Sequence, residues 1–449
     1  LLVRYVSQGV LWKMGDMFQL SVELYDTKDK KVVWSDRWQE KWDNLPTIKG
    51  SLSDGLLKAL DITSKVEKKA ETTNPEAYEF YLKAKHKYEK RENIDDTDIA
   101  RELLSKAIEF DGNLIAAKNL LGTTYAQMGD YEKAILIFTS TMKQAKKLNN
   151  HIWIGNNLRD LGNVYGMIGE DDKALHYYID SRKVYEEIGD KHGIGAIFDN
   201  IGIIYTIKGE HDKALKYHTY SVEIKEEIGD KFGLALSFGN IGTLYHMKGD
   251  LDKALDWHKH SFEIKEGLDD KYGIGGLLGN IGMIYFDKGE YDKALHYFTD
   301  SEKICEKLGN KRGMAINYTS FADVYSERGD YKKAIEYLEK CLIIEKELGL
   351  FVAFKLGVMT TLYLSYKHIG KEYDEEEIYL LIKKTDPTRY ELHINFRLYQ
   401  LLDDFSFLET AYNQVQEQVS SMDKNLSKKF LSYPYPKAVT KEYEKVFKK

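Results

Sequence analysis

Two cysteines, twelve histidines and seventy-two acidic residues make up most of the reactive inventory of this 449-residue chain, and none falls into a catalytic constellation. No G-x-x-x-x-G-K-[ST] stretch exists to cradle a phosphate. The glycine run GIGGLLG from Gly273 to Gly279 misses the dinucleotide fingerprint and falls inside a helical pattern, so its glycines read as packing residues. Cyclase chemistry needs a metal-binding aspartate pair on a strand-rich domain, whereas the acidic residues here fall in turns and on solvated helix faces. His258 and His260 lack both a third ligand and the i, i+4 spacing of a helical zinc pair. No catalytic residue, metal or cofactor is therefore expected. Cys305 and Cys341 fit a reducing compartment without a stapling disulfide. The glycosylation-type triplet Asn317-Tyr318-Thr319 lies in a helical stretch and is discounted.

A binding signal is stronger. Asn200, Asn240 and Asn280 recur immediately before an Ile-Gly step, with Asp160 and Ser320 continuing the series at its ends. An amide offers a donor and an acceptor together, which suits gripping the backbone of an extended peptide at regular intervals. Alternatively, each amide bonds the main chain of a neighbouring structural unit. Both readings stay open on the sequence. Asn163, Thr206, Thr243, His246 and Phe286 lie about one helical turn further along and complete the candidate set. They are mixed and mostly uncharged, so no carboxylate clamp of clustered Lys and Arg is present.

These residues are positioned by an internal repeat. Gly122, Gly162, Gly202, Gly242 and Gly282 stand forty residues apart, and Ala322 takes the next step. Tyr125 to Tyr325, Gly129 to Gly329 and Ala134 to Ala334 keep the same interval. Each unit parses into two helices. Ile201, Ile204 and Tyr205 share one face of the first at i, i+3, i+4 spacing, and Lys208-Gly209 supplies a left-handed glycine stop. The second begins near His211-Asp212 and ends at Gly229. A glycine inside a helix costs about 1 kcal/mol relative to alanine. Its recurrence at Gly202 and its equivalents predicts a close helix crossing in every unit. The slot after the alanine holds Phe138, Tyr178, His218, His258, Phe298 and Leu338, predicted to pack between helices, followed by a small residue at Thr141, Ser181, Ser221, Ser261, Ser301 and Cys341.

With that series in hand, the chain resembles the tetratricopeptide repeat over about Pro75 to Gly370, in a forty-residue variant lacking the closing proline. It is similar to the arrays of Pins-type polarity adaptors, kinesin light chains and bacterial Rap-type regulators. The resemblance implies a mainly α fold, a right-handed α-solenoid of helix pairs whose first helices line a concave groove. In the first two of those arrays, asparagines at this step hold peptide backbone. Residues 66–385 are expected to form the array, with a helix start at Asn74-Pro75, and residues 386–449 a C-terminal helical cap. Asp386-Pro387 should break the chain. Helices are expected over Arg389–Leu402, Phe405–Val419 and Asp423–Leu431, with Tyr433-Pro434-Tyr435-Pro436 ending the packed part before one short helix.

Residues 1–65 differ in kind. Phe18, Leu20, Val22 and Leu24 alternate with polar residues as in a half-buried strand. Gly15-Asp16 and Lys28-Asp29-Lys30 read as hairpin turns, Val32-Val33-Trp34 as a third strand and Leu52–Leu60 as a helix. This stretch resembles the second half of the TolB-like α/β domain that precedes tetratricopeptide arrays in bacterial signalling proteins, adenylate/guanylate cyclases and serine/threonine kinases among them. The resemblance implies that the chain, opening on Leu1 in strand-like sequence, is a fragment whose catalytic part would lie upstream.

Lys and Arg number 65 against 72 Asp and Glu, a net charge of −7 that disfavours nucleic acid as a partner. No stretch approaches the roughly 20 apolar residues of a membrane span, and none reads as a signal peptide. The expectation is a cytoplasmic, non-catalytic scaffold or regulatory segment that binds a protein, a peptide or its own upstream domain. The alternative is the sensory half of a nucleotide cyclase or kinase.

Overall fold

The structure, a computed structural model, describes residues 5–14, 17–26, 30–41, 52, 72, 74–91, 94–348, 352–385 and 392–448. The chain divides into two compact units, Leu1–Ile204 and Tyr205–Lys449. Among the described residues, no helix is long and apolar enough to cross a membrane.

The first unit opens with an antiparallel meander, β1 (Tyr5–Met14), β2 (Met17–Asp26) and β3 (Lys31–Lys41), in the order β1-β2-β3. β2 alternates as its sequence requires: Phe18, Val22 and Leu24 are buried while Glu23 and Tyr25 are exposed. Lys30, at the end of the second turn, takes a left-handed φ of 53°. The turn expected at Gly15-Asp16, the helix expected at Leu52–Leu60 apart from Leu52, and the break at Asp386-Pro387 lie outside the described residues. Helix pairs follow: α1 (Pro75–Glu89) with α2 (Ile94–Phe110), α3 (Ile115–Gln127) with α4 (Tyr131–Lys147), and α5 (His151–Met167) with α6 (Asp171–Ile188). Asn74 caps α1 by accepting the Ala77 N–H at 3.0 Å, with Pro75 at the first helical position, as the sequence predicts. α7 (Lys191–Ile207) carries the chain to the second unit.

In the second unit, α8 (His211–Glu227) precedes three full pairs: α9 (Lys231–Met247) with α10 (Leu251–Gly267), α11 (Lys271–Asp287) with α12 (Tyr291–Lys307), and α13 (Lys311–Glu327) with α14 (Tyr331–Leu348). Then come α15 (Val352–Ile369), α16 (Glu375–Ile382), α17 (Leu392–Leu402), α18 (Phe405–Ser420), α19 (Lys424–Phe430) and α20 (Pro434–Phe447). The chain is thus an α-solenoid of helix pairs preceded by a small sheet.

The helix crossing explains the recurring glycine. A Cβ on Gly122 would stand 2.7 Å from the Phe138 ring, on Gly162 2.6 Å from Tyr178, on Gly242 2.7 Å from His258 and on Gly282 2.5 Å from Phe298. The second helix lays its aromatic slot onto the bare backbone of the first. The small residue three positions later bonds across the same crossing: Ser181 donates to the Gly155 carbonyl at 2.8 Å, Ser261 to Ala235 at 2.7 Å and Ser301 to Gly275 at 2.8 Å. The recurring tyrosine of the first helix stacks on an aromatic of the second, as in Tyr165–Tyr177 at 5.2 Å and Tyr285–Tyr297 at 5.3 Å, with a lysine such as Lys293 over the ring. Gly129, Gly209, Gly249 and their equivalents hold positive φ at the turns. Asp130, Asp250 and Asp330 then accept the N–H three residues on as N-caps. Cys305 and Cys341 are both buried and free.

The C-terminal helices pack more extensively than the sequence suggests. The packed part does not end at Tyr433-Pro434-Tyr435-Pro436: those residues lead into α20, and Tyr435 and Val439 are buried with Phe286, Phe298 and Val324 in one apolar cluster. Arg397 of α17 is fully buried there and donates to Asp323, to Glu327 at 3.2 Å and to the Tyr435 hydroxyl at 2.7 Å. Burial opposes its charge, yet Asp323, Tyr435 and Glu327 hold the guanidinium more firmly protonated than usual. Burial likewise pushes the Tyr435 phenol well up.

Two stability outcomes follow. Gly282→Ala, although it improves helix propensity, should destabilise the protein by about 1–3 kcal/mol through overpacking against Phe298, measured by urea denaturation. Arg397→Met should cost about 3–5 kcal/mol by leaving Asp323 buried and unpaired, and Arg397→Met with Asp323→Leu should recover most of that loss.

Candidate functional site

The first helices carry every residue of the candidate set, and within each unit they are held beside one another by the glycine crossings just described. In the first unit the polar positions are mutually satisfied. Asn119 of α3 donates to Asp160 Oδ2 of α5 at 2.8 Å, and Arg159 bonds the other oxygen of Asp160 at 3.1 Å. Asn163 Oδ1 accepts from the Tyr178 hydroxyl at 2.8 Å and from Asn200 Nδ2 at 3.2 Å. Asp160, Asn163 and Asn200 therefore tie successive first helices together, through side chains rather than through the main chain.

The second unit differs. Among its described residues neither Asn240 nor Asn280 makes a side-chain hydrogen bond; Asn240 is half-buried and Asn280 exposed. Thr243 is exposed and bonds back to the Gly239 carbonyl at 3.1 Å. Thr206 is buried. His246 Nε2 pairs with Asp287 Oδ2 on the neighbouring first helix. Phe286, expected on a groove wall, is 2% exposed and lies beneath Tyr291 and Tyr435, so the chain's own α20 covers it.

That covering is extensive. On the C-terminal halves of α9, α11 and α13 part of the surface is covered by α17 to α20. Gln418 donates to the Met247 carbonyl at 2.9 Å, Lys429 bonds Asp252, and Arg397 bonds Asp323 and Glu327. Met422 and Phe430 sit on Gly249, where a Cβ would stand 2.6 Å and 2.7 Å from them, and Pro434 sits on Gly289 at 2.9 Å. The N-terminal halves of the same three helices stay open. There Leu236, Tyr272 and Ile316 are 44%, 67% and 47% exposed. Leu236, Gly276 and Ile316 hold the same repeat position on successive first helices. Tyr272, Gly276 and Asn280 follow one another at i, i+4, i+8 along α11, on one face of that helix. These apolar residues lie outside the candidate set read from the sequence. Their signal was present, since a core-facing stripe does not need large apolar side chains at positions 236 and 316 in addition to Ile241, Leu244 and Val324.

His258 is wholly buried in the aromatic slot, and neither ring nitrogen has a hydrogen-bond partner. No metal cluster exists among the described residues. Burial, with a smaller push from nearby His246, drives the His258 imidazole down to about 4 from an ordinary 6.5. Asn317, in the discounted glycosylation triplet, is buried.

The sequence model of the tetratricopeptide repeat matches residues 113–187, 193–267 and 274–344, and these residues are tetratricopeptide repeats. No curated protein matches the chain. Among solved structures, BtubC from P. vanneervenii is 20% identical, with 52% of this chain and 92% of that one covered and a TM-score of 0.39. A tetratricopeptide repeat protein from Parabacteroides merdae is 17% identical, with 69% and 98% covered and a TM-score of 0.41. A Signal Transduction ATPase with Numerous Domains that has a tetratricopeptide repeat sensor, from Pyrococcus horikoshii, is 18% identical, with 84% and 54% covered and a TM-score of 0.45.

The buried imidazole gives a pH signature. Between pH 6.5 and about 4 the unfolded chain binds a proton that the folded chain refuses, so stability should fall with falling pH by roughly 3 kcal/mol across that window. His258→Phe, which restores the ring found at Phe138 and Phe298, should raise stability at neutral pH and remove that part of the acid sensitivity, read from denaturation midpoints at pH 7 and pH 5.

Proposed function

We propose that this chain, built between residues 113 and 344 of tetratricopeptide repeats, is a non-catalytic binding scaffold that takes a peptide on the open face of its first helices. One observation carries the reading. Asn240 and Asn280, forty residues apart, hold amides with no hydrogen-bond partner among the described residues, while the equivalent Asn200 is consumed by Asn163. Each free amide can accept one backbone N–H and donate to one carbonyl, which is what an extended segment presents at regular spacing. Exposed Leu236, Tyr272 and Ile316 beside them supply the apolar contact that backbone bonds alone would lack. Asp160, Asn163 and Asn200 are better assigned to holding the first helices in register. His246 pairs with Asp287 at the margin of the face, and Thr243 is exposed on the same helix as Asn240.

The test is selection from a random-peptide display library on the full chain, followed by affinity measurement on Asn240→Ala/Asn280→Ala. These are surface positions, so helicity and melting temperature should change little. The peptides enriched on the natural sequence should bind the double variant at least about tenfold more weakly. Undiminished binding would remove the amides from the function, and a library yielding no binder would remove the scaffold reading itself.

A further inference from the structure

Resting on that reading, we infer that Gly276 is the floor of an anchor notch that seats one bulky apolar side chain, leucine or aromatic, of the bound extended peptide. Several glycines of these repeats have an evident reason, although Gly267 of α10, like Gly276, meets nothing within 4 Å. At Gly242 and Gly282 glycine receives the ring of His258 or Phe298, and at Gly209, Gly229 and Gly329 it provides a positive φ. Gly276 lies inside α11 without a positive φ, and nothing stands within 4 Å of where its Cβ would be. Leu236 and Ile316, at the same repeat position on α9 and α13, flank it from both sides with exposed aliphatic side chains. α11 packs directly against both of those helices. Tyr272 one turn above is two-thirds exposed, and Asn280 one turn below offers its unbonded amide. The result is an apolar gap with an aromatic rim on one side and a hydrogen-bonding group on the other.

The chain itself shows what such a gap accepts. In the turns that follow α9 and α11, the glycines at 249 and 289 are covered by Met422 with Phe430 and by Pro434 from the C-terminal segment. That self-docked surface and the open one are continuous along α9, α11 and α13. On the covered half the large side chains come from within the chain; on the open half Leu236 and Ile316 are exposed on either side of Gly276. The free amides of Asn240 and Asn280 favour an extended backbone over a helix, whose own peptide groups are already bonded.

Gly276→Leu tests this without endangering the fold, because leucine is the better helix former and its side chain enters open space. Its melting temperature should equal or exceed that of the natural sequence. Peptides selected on the full chain should share one large apolar residue and bind Gly276→Leu at least about tenfold more weakly. Replacing that peptide residue by alanine should cost a similar factor against the natural chain and nothing further against the variant, the mark of a direct contact. Peptides that depend on Asn240 and Asn280 but bind Gly276→Leu equally well would sink the notch and leave the scaffold standing. Selected peptides without a common apolar residue would also overturn it, and a library without binders would sink both.

Discussion

Four of the repeats hang on a ring set against a helix that has given up its side chain. At Gly122, Gly162, Gly242 and Gly282 the approach of Phe138, Tyr178, His258 and Phe298 leaves no room for even a methyl group. A buried ring contributes more apolar burial than the helix propensity of one alanine is worth, so the exchange is favourable at each of these crossings. The hydroxyl of Ser181, Ser261 or Ser301 then satisfies a carbonyl on the far side of the same crossing and fixes rotation as well as distance. Stacking of Tyr165 on Tyr177 and of Tyr285 on Tyr297 closes the turn end of the pair. Three contacts of different chemistry thus define one rigid unit. All three lie between the two helices of a pair, so this crossing leaves the opposite side of the first helix for other contacts.

The free side differs between the units. Tyrosine at 178 carries its hydroxyl to Asn163, and Asn163 in turn holds Asn200, so the first unit spends its amides on itself. Asn163 stands thirty-seven residues before Asn200. The residue at that interval before Asn280 is Thr243, and its hydroxyl bonds back to the Gly239 carbonyl of its own helix. Asn280 therefore keeps an amide that Asn200 does not.

Most of the repeat was legible because its constraints are local and periodic. The glycine stops, the alanine, the slot and the small residue after it each recur at forty residues and each has its own contact in the structure. Two things escaped. The sequence cannot say whether a periodic amide meets a partner, since Asn200 and Asn240 share the same local sequence logic and differ only in what lies opposite. Nor does periodicity extend to α17 to α20, whose contacts with α9, α11 and α13 span more than a hundred residues in cases such as Gln418 with Met247 and Lys429 with Asp252. Phe286 was read as groove-facing because its position is right for that; Tyr435, from far along the chain, decides otherwise.

The way the C-terminal helices bind explains why half of the face is covered and half is not. A solenoid must hide the apolar side of its last pair, and α15 to α17 do this around Leu338, Cys341 and Leu362. α18 to α20 go further, turning back over Leu251, Ile284 and Phe298, and the segment is pinned by charge through Arg397 of α17 on Asp323 and Glu327 and Lys429 of α19 on Asp252. Asp252 is held below the usual carboxylate range by hydrogen bonds from Lys429 and Lys288. Every acidic residue in that set lies on or just beyond the C-terminal half of a first helix. The N-terminal halves offer Leu236, Tyr272, Gly276 and Ile316 instead, apolar and without an anchoring charge. The C-terminal segment is held by Asp323, Glu327 and Asp252, and the open half presents the exposed apolar side chains of Leu236, Tyr272 and Ile316, suited to a bulky uncharged side chain on an extended backbone.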